Sequence, residues 1–98
     1  MRLPPDYVDA IKAAALTAYG KSSVIRLFGS RVRDDLRGGD IDLHIETDPL
    51  NDEHAARDRF DDELFKRIER QKVDVVITER GRTPRGFERI AYRDGILL

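Results

Sequence analysis

Cysteine is absent from the 98 residues, which removes disulfide scaffolds, cysteine-ligated zinc and thiol catalysis together. Two histidines, His44 and His54, leave little for a histidine-based metal site. No apolar run approaches the roughly 20 residues that a membrane span requires. The N-terminal Met1-Arg2-Leu3-Pro4-Pro5-Asp6 lacks an apolar signal-peptide centre. Lys and Arg number 18 against 19 Asp and Glu, a formal charge of −1, so bulk charge does not supply nucleic-acid affinity and no direct nucleic-acid binding is expected. What is present suffices for a core: 40% hydrophobic residues beside 38% charged ones, unlike a disordered tail. The expectation is a single small cytoplasmic domain over residues 1–98, small enough to depend on a partner or an oligomer.

Pro4-Pro5-Asp6 reads as a helix entry. Residues 6–19 then carry Val8, Ile11, Ala15, Leu16 and Tyr19 at helical spacing, with Gly20 as a stop. Ser23 to Phe28 is a short β-rich run ending at Gly29-Ser30, and the polar residues 31–39 suit a short helix or turn. Residues 40–46 alternate strictly: Ile41, Leu43 and Ile45 face one way, Asp40, Asp42, His44 and Glu46 the other. Asp48-Pro49 opens a helical stretch to about Arg70, with Phe60, Leu64, Phe65 and Ile68 as its apolar stripe. Val73 to Thr78 is an apolar strand interrupted by Asp74. Pro84 starts a last helix through Phe87, Ile90 and Ala91, closed by Gly95. The tail Ile96 to Leu98 and the final helix are the candidates for a docking surface, unless the tail pairs as an edge strand. The order αβαβαβα predicts a layered α+β domain.

The chemistry concentrates in the acids. Asp is unfavourable in strands, yet Asp40 and Asp42 share one strand face, roughly 6–7 Å apart, and Asp74 lies inside another apolar strand. If these strands are neighbours, three carboxylates converge, and their repulsion raises their pKa values unless a cation is present. Mg²⁺ with oxygen ligands suits such a cluster. The plainer alternative is a half-exposed strand with a wet polar face. Gly29-Ser30, placed directly after a strand and separated from Asp40 by nine residues, offers close backbone approach to a phosphate. Chemistry on a nucleotide polyphosphate needs both parts.

Leu27-Phe28-Gly29-Ser30-Arg31 with Gly39-Asp40-Ile41-Asp42-Leu43 resembles the G-S…D-x-D signature of the DNA polymerase β-like nucleotidyltransferases. The length is similar to that of their minimal nucleotidyltransferase branch. The likeness runs from about Ser23 to Thr78, and the ending Gly95-Ile96-Leu97-Leu98 also resembles the family's. It implies a short mixed sheet with helices packed on it. It implies that Asp40 and Asp42 bridge two Mg²⁺ ions, and that Asp74 binds the catalytic metal or helps deprotonate the attacking hydroxyl. Gly29, Ser30 and Arg31 would hold the β- and γ-phosphates of ATP or another NTP. The family's small residue and glycine after Gly-Ser-Arg are replaced here by Val32, Arg33 and Asp34, which implies a differently seated loop.

The resemblance further implies transfer of AMP from ATP to a hydroxyl acceptor. Minimal members act as antitoxins of HEPN-type toxins, so the implied partner is such a toxin and the implied acceptor its tyrosine. The alternative is a binding-only antitoxin with weak or no catalysis. A D-x-D glycosyltransferase is a third class, but its fold needs more residues and leaves Gly29-Ser30 unexplained. Of the remaining candidates, Arg33 and Arg37 are expected to be solvated, His44 peripheral, Glu46 exposed and the 51–70 charges a wet helix face. Phe60 and Phe65 suit the core better than a nucleobase stack, and Tyr7 and Tyr92 suit packing better than self-modification.

Overall fold

A computed structural model describes residues 3–32 and 40–98. The element order is α1 (Pro5–Tyr19), β1 (Val24–Phe28), a 3-10 turn (Gly29–Val32), β2 (Ile41–Thr47), α2 (Glu53–Leu64), β3 (Val73–Glu79), α3 (Phe87–Asp94) and β4 (Ile96–Leu97). The sheet is mixed, in the order β3-β2-β1-β4. β1 runs antiparallel to β2 and β4, and β2 parallel to β3. The tail therefore resolves as an edge strand, with Leu27 opposite Ile96. The stretch expected as a helix or turn over 31–39 begins in the 3-10 turn; Arg33, Asp34, Asp35, Arg37 and Gly39 lie outside the described residues. No described helix is long and apolar enough to cross a membrane.

The helix expected from Asp48 to about Arg70 is shorter. It starts at Glu53 because Asp52, in an extended conformation, accepts a hydrogen bond from the Ala55 N–H at 3.1 Å and caps the first turn. Upstream, Asp48 is already held by Ser22 and Arg80, and the Leu50 N–H donates to Glu79 Oε2 at 2.7 Å. Beyond Leu64 the chain continues in turns that still bury Ile68.

One sheet face is apolar throughout. Ile25 and Leu27 of β1, Ile41, Leu43 and Ile45 of β2 and Val73 of β3 meet Ala10, Ile11, Ala14, Ala15 and Tyr19 of α1 and Phe60 and Leu64 of α2. This alternation is the one predicted for 40–46, and its three apolar members are fully buried.

The opposite face was expected to be wet or metal-binding, with His44 peripheral and Glu46 exposed. Instead α3 covers its middle. His44 is fully buried, its Nε2 2.9 Å from Thr78 Oγ1 and its ring edge-on to Tyr92 with centroids 4.7 Å apart. Because the Thr78 hydroxyl donates to Glu88, His44 donates through Nε2 and leaves Nδ1 buried without a partner among the described residues. Burial first, and then the Arg26 charge, hold its pKa below the ordinary value. Glu46 accepts from Tyr92 Oη at 2.8 Å and Arg80 Nε at 3.1 Å, and pairs with Arg26 at 3.5 Å. The Tyr92 hydrogen bond leads the causes that lower its pKa. The polar residues of β2 were thus legible as polar and the last helix as a helix, but its seating over them was not.

β3 lies at one margin of the sheet. Two guanidinium groups meet its backbone: Arg57 Nη2 donates to the Val73 carbonyl and Arg82 Nη2 to the Ile77 carbonyl, each at 2.6 Å.

Candidate active site

Strand register assembles the site. Phe28, the last residue of β1, lies opposite Asp42, and Asp42 lies opposite Asp74 across the parallel pair. Neighbouring strands are about 4.8 Å apart, so the two carboxylates stand side by side on the face that α3 only partly covers. Burial, followed by the charge of Asp74, pushes the Asp42 carboxyl above its usual range; Asp40 and a hydrogen bond shared with Asp74 add to this. Folding has gathered negative charge where solvent screens it poorly.

The turn after β1 presses on the same carboxylate. Gly29 adopts φ 78°, and a Cβ at that position would lie 2.3 Å from Asp42 Oδ2. Both the backbone conformation and the space demand glycine. Ser30 and Arg31 continue the 3-10 turn, with Arg31 half-buried.

Asp40 takes a different place. It precedes β2, and its Oδ2 lies 3.3 Å from Nζ of Lys72, which precedes β3; the Asp40 side chain is 47% exposed. The hydrogen bond to Asp40 raises the Lys72 pKa. Asp42 and Asp74 thus stand side by side, while Asp40, whose charge still bears on Asp42, pairs with Lys72. Among the described residues no three acidic or histidine side chains close on one point.

These groups open into a cleft of about 540 Å³, lined by Phe28, Gly29, Asp42, Asp74, Arg57 and Phe87 together with Val75, Val76 and Ile90. An all-oxygen donor pair, already strained by its own charge, suits a hard divalent cation. The exposed Gly29 backbone lines the same cleft, open to a phosphate. The residues present fit a metal-nucleotide complex.

Three lining residues escaped sequence reasoning. Arg57 was read as part of a wet helix face; Asp61, at 3.0 Å, and the Val73 carbonyl instead hold it over the β3 margin and into the cleft. Phe87 and Ile90 were read as part of a last helix offered for docking; they are 68% and 39% exposed and line the cleft instead. No local signal distinguishes them, because their position follows from how α3 seats on the sheet. Phe60 is fully buried and packs on Tyr19 at 5.9 Å between centroids. Phe65 lies beneath the Arg70 guanidinium, so neither faces the cleft.

The family model for the nucleotidyltransferase domain matches residues 8–97. No curated protein and no solved structure matches the chain. Members of that family generally take a nucleoside triphosphate and a divalent metal, the pair of ligands that the cleft's donors fit. The match covers nearly the whole chain, every described strand included, and the chain belongs to the nucleotidyltransferase domain family.

Proposed function

We propose that this chain is a minimal nucleotidyltransferase that moves AMP from ATP to a hydroxyl, the tyrosine of a HEPN-type toxin, and thereby acts as that toxin's antitoxin. The observation that carries the chemistry is the register pair Asp42–Asp74 set against Gly29. In the reaction the acceptor oxygen forms a bond to the α-phosphorus, the α–β bridging bond breaks, and pyrophosphate leaves. Asp42 and Asp74, with Asp40 at the head of the same strand, would hold Mg²⁺, which would lower the acceptor's pKa and neutralise the leaving phosphates. Asp74 also accepts the acceptor's proton. Gly29, Ser30 and Arg31 receive the β- and γ-phosphates, with the Gly29 backbone permitting close approach. The remaining contribution is positioning.

The toxin and its tyrosine come from the resemblance described above; the family assignment supports nucleotidyl transfer alone. Incubation with labelled ATP, Mg²⁺ and the HEPN-type protein encoded nearby is expected to label that protein. Asp42→Ala with Asp74→Ala is expected to abolish the label and the rescue from toxicity together. Rescue that survives in this double variant overturns the enzymatic reading in favour of binding alone. One observation speaks for that second reading: Asp40 is engaged by Lys72 rather than by the acidic pair.

A further inference from the structure

The cleft has a wall that the phosphate chemistry leaves unused. Phe87 opens α3 and is 68% exposed, while Ala91, one turn later, is fully buried against the sheet. The apolar stripe Phe87-Ile90-Ala91 is thus seated at its far end and overhangs the cleft at its near end. The Phe87 ring lines the same cleft as the carboxylate pair. Gly86 sets the ring's position: at φ 52° and ψ −120° it holds a backbone conformation that side-chain-bearing residues rarely adopt.

Of the four phenylalanines, Phe28 and Phe60 are buried and Phe65 is covered by Arg70. Phe87 is the one that turns an open ring to the space shared with Asp42, Asp74 and Gly29. Its neighbours there are Val75, Val76 and Ile90. The cleft's remaining cation, Arg57, is occupied by Asp61 and the Val73 carbonyl.

Resting on the nucleotidyl-transfer reading, we propose that Phe87 is the platform on which the nucleotide's base stacks, and that the base is chosen by its stacking surface rather than by hydrogen bonds to its edge. The triphosphate lies toward the carboxylate pair and the base against the α3 overhang. Every base offers a π-face, so such a platform accepts both purines and ranks pyrimidines lower.

The test is equilibrium displacement of a ribose-labelled fluorescent ATP from the full chain in Mg²⁺, with ATP, GTP, CTP, UTP and inorganic tripolyphosphate as competitors. Phe87→Ala is expected to weaken ATP and GTP binding about 5- to 150-fold and to leave tripolyphosphate unchanged. Phe87→Trp is expected to restore purine binding. Wild-type ATP and GTP are expected to agree within about tenfold and to exceed CTP and UTP. Equal weakening of ATP and tripolyphosphate overturns the platform, as does a wild-type preference of ATP over GTP beyond a hundredfold. Unchanged ATP affinity with a raised KM for the protein acceptor assigns Phe87 to the acceptor and overturns it too. Failure of the wild type to bind either ATP or tripolyphosphate overturns the nucleotidyl-transfer reading itself, a result distinct from loss at Phe87 alone.

Discussion

The two faces of the sheet solve different problems with the same strand. On one, Ile41, Leu43 and Ile45 vanish under α1 and α2. On the other, Asp42, His44 and Glu46 each have a separate fate: Asp42 joins a second acid at a cleft, His44 is roofed over, and Glu46 anchors α3. The first face is decided by volume and hydrophobicity alone. The second is decided residue by residue, by what lies opposite. Changes on the first face should therefore cost folding, and changes on the second should cost chemistry or the placement of α3.

The largest expected effect is on the apolar face. Phe60→Ala should destabilise by about 3–5 kcal/mol, enough to unfold much of a domain of ordinary marginal stability; urea denaturation checks it. Next comes the site. Asp42→Asn should cost at least about a hundredfold in transfer, since several kcal/mol of transition-state stabilisation pass through such ligands. The same variant should melt higher than the wild type at neutral pH, which calorimetry reads. Activity lost together with stability would erase the distinction between the faces.

The acids also predict opposite pH slopes. Asp42 binds its proton more tightly folded than unfolded, so stability should fall as pH rises from the ordinary 3.8 through its raised value. Asp42→Asn removes that slope. Glu46 has a lowered folded pKa, so its stabilising contribution is present above the ordinary 4.5 and is lost as pH falls through the lower folded value. Glu46→Gln removes that one. Thermal midpoints across the acid range separate the two.

Two smaller effects follow. Gly29→Ala should cost about 1–2 kcal/mol for a side chain forced to positive φ, with further loss of activity from displacing Asp42; melting and transfer assays read both. Tyr92→Phe removes one hydrogen bond to a charged group, about 1.5–3 kcal/mol at most and less at its partly exposed site. Its expected signature is a Glu46 carboxyl that titrates closer to the ordinary value, visible by NMR.

The apolar alternation of β2, the strand at 73–79 and the bounds of α1 were readable because each depends on near neighbours in the chain. Gly29 and the acids were readable as unusual choices for strand and turn. What could not be read was set by tertiary placement. The roof over His44, the shorter α2 and the exposure of Phe87 all depend on elements distant in sequence. Asp40 and Asp42 look alike as a D-x-D pair; their different neighbours, Lys72 for the one and Asp74 with Gly29 for the other, come only from strand placement.

Arg57 and Arg82 occupy carbonyls along the outermost strand, and that has a bearing on the protein's behaviour in bulk. An uncapped strand margin is a template for another chain. Two bulky guanidinium groups, at carbonyls four residues apart, take acceptors that an incoming backbone would need. The Arg57 that reaches into the cleft thus also shields a strand margin.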